Sequence, residues 1–168
     1  AVQPGSAFKP VTALAALSCG LDPDRLLYDN GYIEIGGRRF GCSLWNESGC
    51  KHGYLDLAGA MSVSCNYYFY DIATGRDLAS GKSLGYSRNI SNETIVEYAK
   101  LMGLGEKTGV EIGESSGVLP SEKMKTEGIK EQLAAFLLAE QEIYFTEKSL
   151  TDRKTFRKKI EKITNWAD

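Results

Sequence analysis

Ser6 and Lys9 stand three residues apart in the run Pro4-Gly5-Ser6-Ala7-Phe8-Lys9-Pro10. On a helix that spacing puts both side chains on one face, within reach of each other. A serine hydroxyl attacks poorly unless a neighbouring base takes its proton. Lysine serves as that base only where its charged form is disfavoured, and burial does this by lowering its pKa. The residues that follow, Val11 to Leu17, are nearly all apolar and supply such surroundings. A helix N-terminus at Ser6 would also turn backbone amides and the positive end of the dipole toward a developing oxyanion. The competing reading of Ser-x-x-Lys is an N-capping serine followed by a solvated lysine. The preceding Pro-Gly and the apolar helix weigh against it.

A second group is Ser62-Val63-Ser64-Cys65-Asn66, followed by the aromatic residues Tyr67, Tyr68, Phe69 and Tyr70. Ser64 and Asn66 flank one residue at the junction of two helical stretches. The hydroxyl can relay a proton, and the amide can hold a substrate carbonyl while touching the lysine. Taken alone, the pattern reads more readily as an Asx or serine turn between helices. Metal-ligating types do not assemble by spacing. The single histidine, His52, and the cysteines at 19, 42, 50 and 65 contain no CxxC pair, so no metal site is expected. Cys42 and Cys50 flank a turn and can pair in an oxidising compartment; free, partly buried thiols fit equally well.

The elements that must position these groups follow from pattern. Residues 6–18 read as an alanine-rich helix, apolar nearly all round and therefore buried on every side, with Pro10 in its first turn and Gly20 as its stop. Within 27–45, a short apolar run through Tyr32–Ile35, a Gly36-Gly37 pair and Arg38, Arg39, Phe40 predict a small hairpin. Residues 55–73 are helical on both sides of the Ser-rich junction. Residues 92–102 form an amphipathic helix capped by Asn92, with Ile95, Ala99 and Met102 on one face and Gly103 or Gly105 beyond its end. Residues 106–121 are loop or short strand. Beyond Pro120 the chain becomes charged, helical and lysine-rich, with a stripe through Leu133, Phe136, Leu137 and Glu140.

The bulk numbers exclude other classes. A chain of 168 residues, 42% hydrophobic and 25% charged, is long enough for a real core and has a globular composition. A net charge of −2 offers no footprint for nucleic acid or an anionic membrane surface. No apolar run approaches the roughly 20 residues that span a bilayer, and Val11–Leu17 lacks the flanks of a signal peptide. Any anchor is expected outside this chain, which reads as a fragment.

Ser-x-x-Lys with a second Ser-x-Asn and a Lys-Thr-Gly is the signature of penicillin-binding proteins and class A β-lactamases. The surrounding text resembles the former. PGSAFKPVTALAAL closely resembles the penicillin-binding protein nucleophile segment, and HGYLDLAGAMSVSCNYYFYDIA resembles the second-motif segment. LMGLGEKTGVEIGESSGVLPS is similar to the linking stretch that follows, so the resemblance covers roughly residues 1–122. It implies Ser6 as the acylated nucleophile, Lys9 as its general base, Ser64 as the proton shuttle and Asn66 as a substrate-positioning amide. It also implies a D,D-transpeptidase that acylates on the D-Ala–D-Ala of a peptidoglycan stem peptide and is blocked by β-lactams. The parent would be membrane-anchored on the extracytoplasmic face of the bacterial cytoplasmic membrane, within a cell-wall synthesis complex. No cofactor is implied.

The resemblance sets the fold expectation: mainly α with a small β-hairpin, the helical part of a β-lactamase/transpeptidase-like α/β fold, truncated before most of the sheet. Residues 1–121 would be a partial transpeptidase domain and 122–168 a helical insertion or subdomain. Lys107-Thr108-Gly109 spells the third motif but follows a helix stop, and is expected to be a decoy; the fragment alone would then be inactive. His52 reads as a loop-packing residue and Arg38-Arg39 as a solvated hairpin tip. A β-lactamase or β-lactam sensor of the same fold is the alternative, although no segment resembles the deacylating glutamate loop of class A enzymes. A non-catalytic interaction module is the alternative from another class.

Overall fold

The computed structural model describes residues 3–139 and Lys158. The chain divides into two compact units, Ala1–Leu119 and Pro120–Asp168. Among the described residues no helix is long and apolar enough to cross a membrane.

The first unit begins with a single 3-10 turn, Gly5–Phe8, that runs into α1, Lys9–Cys19. Gly20, in the left-handed conformation, ends α1 by returning its N–H to Leu17. Strand β1 (Leu27–Asp29) leads to the hairpin β2 (Tyr32–Ile35) and β3 (Arg38–Gly41). Gly36 and Gly37 both have positive φ, 57° and 76°, which a two-residue hairpin turn of the favoured twist requires. The short α2 (Ser43–Ser48) precedes β4 (Gly53–Leu55), which pairs antiparallel with β1. Then come α3 (Leu57–Ser62), α4 (Asn66–Thr74), the two-residue strands β5 (Arg76–Asp77) and β6 (Lys82–Ser83), and α5 (Asn92–Leu101). All sheets among the described residues are antiparallel pairs. This is the mainly helical, hairpin-bearing fold that the sequence predicts.

The core lies where α1 and α4 pack together. Ala13, Ala16, Cys65, Tyr68, Phe69 and Ile72 are buried there, and Leu27 and Leu84 close it from outside the helices. Alanines on α1 are what let the bulky aromatic face of α4 approach so closely.

Two helix expectations need correction. The first helix is not buried all round: Val11, Ala13, Ala15 and Ala16 are covered, but Leu14 and Leu17 are 42% and 37% exposed. Those leucines and Pro10 form one exposed stripe along α1 among the described residues. Ser91, not Asn92, caps α5: its hydroxyl accepts the Thr94 N–H at 3.3 Å. Ala99 is buried on that helix, Ile95 half-buried, and Met102 half-exposed beyond the last turn.

In the second unit α6 spans Glu122–Ala139, and the Ser121 hydroxyl accepts the Met124 N–H at 3.1 Å. Leu133 is half-buried and Phe136 exposed. The Leu137 side chain, Glu140 and the rest of the predicted helical tail, Lys158 apart, lie outside the described residues.

Candidate active site

Local backbone brings the first pair together. Gly5, with φ 55°, admits the chain into the 3-10 turn, where Ala7 N–H returns to the Pro4 carbonyl. A 3-10 turn has three residues per turn, so side chains three apart eclipse each other. Ser6 therefore sits over Lys9, and Lys9 Nζ lies 3.1 Å from Ser6 Oγ. The sequence pattern gives one continuous helix from Ser6; the tighter first turn improves the alignment it implies.

The second motif arrives by a helix C-terminus. Cys65 N–H bonds to Ala60 O at 2.9 Å and Ser64 N–H to Met61 O at 3.2 Å, the bonding of a Schellman motif closing α3. The left-handed residue of that motif is usually glycine, yet here it is Ser64, with φ 55°. It is the one non-glycine residue with positive φ among those described. That backbone costs about 1–2 kcal/mol for a residue with a Cβ. The conformation lets Ser64 present both its carbonyl and its hydroxyl to one lysine: Lys9 Nζ lies 2.6 Å from Ser64 O and 2.7 Å from Ser64 Oγ.

The network then closes. Ser64 Oγ donates to Ser6 Oγ at 3.0 Å, completing a Lys9–Ser64–Ser6 triangle. Asn66 Oδ1 accepts from Lys9 Nζ at 2.7 Å, while its Nδ2 donates to Gly41 O at 3.0 Å, which fixes the amide's orientation. Lys9 is 8% exposed, with Nζ 5.6 Å from the Phe69 ring centroid. Burial pushes its pKa below 10.5, and the nearby sulfurs of Cys42 and Cys65 pull partly back. An ammonium has three hydrogens for these four acceptors, so losing one proton still leaves Lys9 well bonded. Ser6 is exposed and its lysine is not: an open hydroxyl backed by a desolvated amine.

A second cluster, unseen in the sequence, lies directly behind Asn66. The Sγ atoms of Cys42 and Cys65 are 3.4 Å apart, and both side chains are fully buried. Asp29, also buried, accepts from Gly31 N–H at 2.7 Å and His52 N–H at 3.1 Å, and its Oδ2 lies 2.7 Å from His52 Nδ1. Burial alone would raise the Asp29 pKa; the amide and imidazole bonds outweigh it and hold the carboxyl below the usual range. The bond shared with Cys65, with Tyr67 N–H at 3.3 Å, favours the thiolate at Cys42, while the same bond and burial push the Cys65 thiol up. One ligand atom from each of Asp29, Cys42, His52 and Cys65 fits within 4.8 Å of the others. These are the residues that could hold a metal. Their sequence positions, one on each of four segments, carry no spacing signal.

This cluster decides between the two readings of the cysteines and locates His52. Cys42 faces Cys65 rather than Cys50, which is exposed, and all four cysteines are free thiols. His52 does pack in a loop, but against a buried carboxylate. Lys107-Thr108-Gly109 lies in a loop, where Thr108 and Gly109 N–H grip Glu114 at 2.7 and 3.1 Å, so no strand forms there. Arg38 and Arg39 are exposed, Arg39 stacking over Tyr32 at 4.8 Å.

Comparison with known proteins gives a consistent picture. The sequence model of the family described as "Penicillin binding protein transpeptidase domain" matches residues 1–138. The chain is 34% identical over 121 residues to stage V sporulation protein D of Bacillus subtilis, covering 70% of this chain and 16% of that protein. It is 28% identical over 124 residues to peptidoglycan D,D-transpeptidase MrdA of Acinetobacter baumannii, covering 73% and 16%. Among solved structures, a chain from "Structural coordination of polymerization and crosslinking by a peptidoglycan synthase complex" superposes with a TM-score of 0.57 at 28% identity. That match covers 76% of this chain and 20% of the other.

Proposed function

This chain belongs to the penicillin-binding protein transpeptidase domain family, and we propose that Ser6 is the acyl-accepting nucleophile of a peptidoglycan D,D-transpeptidase. One observation carries the reading: Lys9 Nζ, buried, contacts Ser6 Oγ directly and again through Ser64 Oγ.

In this reading Ser6 Oγ attacks the carbonyl of the penultimate D-alanine of a stem peptide. Its proton passes to Lys9, directly or by way of Ser64. The tetrahedral intermediate collapses, the C–N bond to the terminal D-alanine breaks, and that amine leaves carrying the proton. An amine from a neighbouring strand then attacks the Ser6 ester and restores the hydroxyl. Asn66 positions the substrate carbonyl side and holds Lys9. A β-lactam takes the peptide's place and halts at the ester. Effective general base catalysis of this kind contributes about two to four orders of magnitude.

The chain spans 16% of the length of the two curated relatives described above, so the activity belongs to a larger assembly. Grip on the substrate carboxylate and the rest of the oxyanion hole fall, in this reading, to residues outside this chain, since Lys107-Thr108-Gly109 is occupied by Glu114. In this reading residues 1–121 are the motif-bearing part of the transpeptidase domain and 122–168 a charged helical insertion or subdomain. The intact protein works at the outer face of the bacterial cytoplasmic membrane, anchored by a segment elsewhere, with peptidoglycan and its synthesis complex as partners.

The test is mass spectrometry of the intact protein after incubation with penicillin. One penicilloyl group is expected on the peptide carrying Ser6; Ser6→Ala abolishes it. An adduct that survives Ser6→Ala sinks the assignment. Rapid turnover of a chromogenic cephalosporin would instead make the protein a β-lactamase.

A further inference from the structure

Lys9 Nζ sits in a buried place with no counter-ion bonded to it. Its hydrogen-bond partners, Ser6 Oγ, Ser64 O, Ser64 Oγ and Asn66 Oδ1, are all neutral. Among the described residues no carboxylate pairs with it. A further neighbour is aromatic: the Phe69 ring, whose centroid lies 5.6 Å from Nζ. We propose that Phe69 is a positioning residue for acylation, its ring face receiving the charge that Lys9 gains on taking the Ser6 proton. The role rests on Ser6 as nucleophile and Lys9 as base, and extends that reading to a side chain outside both motifs.

The helix places the ring. Phe69 follows Asn66 by three residues on α4, so amide and ring share one face and meet Nζ together. Phe69 is 5% exposed within the core, and the Tyr68 ring meets it edge to face, centroids 6.0 Å apart. A ring packed in this way cannot turn its face from the amine. Packing alone accounts for a buried aromatic residue. It does not account for a desolvated amine set over the ring without an anion nearby.

The chemistry gives the direction. In acylation the Ser6 O–H bond breaks, the proton joins the Lys9 lone pair, and the oxygen's electron pair forms the bond to the carbonyl carbon. Lys9 turns from amine to ammonium as the barrier is crossed, away from water. Neutral acceptors and the negative face of an aromatic ring then stand in for lost hydration. The ring attracts the ammonium and not the amine, so it favours the transition state over the resting base.

Two opposed effects thus set the basicity of Lys9: burial lowers it, and the ring holds it up. The other titratable groups that act on Nζ are the Cys42 and Cys65 thiols behind Asn66. The 3-10 turn and α3 carry no ionisable side chain. Tyr67, Tyr68, Tyr70 and Asp71 of α4 make no hydrogen bond to Nζ, nor do Glu93, Glu97, Tyr98 and Lys100 of α5.

The experiment replaces Phe69, in the intact protein, by phenylalanines carrying one, two and three ring fluorines. Fluorine withdraws charge from the ring face and hardly changes its size, so the fold is kept. Two midpoints are followed with pH. One is that of the acylation rate with a fluorescent penicillin. The other is that of the Lys9 Cε chemical shift in protein with 13C-labelled lysine, assigned by its loss in Lys9→Arg. Both should move step by step to lower pH, by about half to one pH unit for three fluorines. The plateau rate should fall with them, by up to about tenfold. Three fluorines at Phe40, on the exposed hairpin, should move neither midpoint. A shift to higher pH overturns the proposal, as does an equal shift from Phe40. Unmoved midpoints in a protein that labels at Ser6 overturn the role of Phe69 alone. Unaltered protein that never labels at Ser6 overturns the function above, and this role with it.

Discussion

Ser64 offers a perturbation in which backbone and hydroxyl can be separated. Its left-handed backbone, φ 55°, costs about 1–2 kcal/mol when a Cβ is present. Glycine removes that cost but adds about 0.5–1 kcal/mol of unfolded-state entropy. Ser64→Gly should therefore be more stable than Ser64→Ala by about 1 kcal/mol, the strain less the entropy. The hydroxyl matters little to stability, because Lys9 Nζ has four acceptors within 3.1 Å and only three hydrogens to give. Losing Ser64 Oγ leaves all three hydrogens placed, so Ser64→Ala should fall below the parent by less than about 1 kcal/mol. Acylation should behave otherwise. Both variants lack the bridge between Lys9 and Ser6, and both should label with a fluorescent penicillin about a hundredfold more slowly or worse. The assays are the second-order acylation rate and urea unfolding of the intact protein. Equal stabilities of the two variants would refute the strained backbone. Parental acylation by Ser64→Gly would refute the relay.

Three other outcomes follow from two buried groups. Lys9→Arg should acylate about as poorly as Lys9→Ala, because a guanidinium cannot give up its proton. The parental acylation rate should rise with pH and level off below 10.5, since burial lowers the Lys9 pKa; an arginine variant near the parental rate would make Lys9 a positive charge only. Asp71 is fully buried, one oxygen bonded to Leu78 N–H at 3.0 Å and the other without a partner, and burial pushes its pKa from 3.8 up to about 7. A carboxyl raised on folding contributes stability fully below its unfolded pKa, and that stability is lost as pH climbs through the folded value. Between pH 4 and pH 8 the parent should thus lose up to about 4 kcal/mol relative to Asp71→Asn; an unchanged difference in unfolding midpoint at the two pH values would refute it.

What the sequence made legible was local. The Ser6–Lys9 spacing, the Gly36-Gly37 hairpin and the Ser-rich junction each depend on residues within a few positions of one another, so pattern alone locates them. The α5 cap moved by one residue because Ser91 and Asn92 are both good caps and only the backbone chooses between them. The open leucine stripe on α1 was hidden because an apolar sequence says that a face avoids water, not that this unit supplies its cover. The carbonyl that steadies Asn66, Gly41 O, leaves no signature in side-chain types at all. Asp29, Cys42, His52 and Cys65 were invisible for the same reason on a larger scale. Their meeting depends on β1 pairing with β4 and on α4 starting at Asn66, which no spacing rule expresses.

The two clusters are joined by sequence as well as by space. Cys65 and Asn66 are adjacent, and so are Gly41 and Cys42; Asn66 bonds Gly41 while Cys65 contacts Cys42. One side of this double contact faces Lys9 and the other faces the thiols. Any change that shifts the Cys42–Cys65 pair must therefore move the backbone on which the Asn66 amide is mounted, and with it an acceptor 2.7 Å from the lysine. Distances that short tolerate little drift, since misplacement of about 1 Å in a reacting constellation can cost about a hundredfold in rate. A buried thiol pair behind the site is then more than filler: its geometry sets how well the amine in front of it is held.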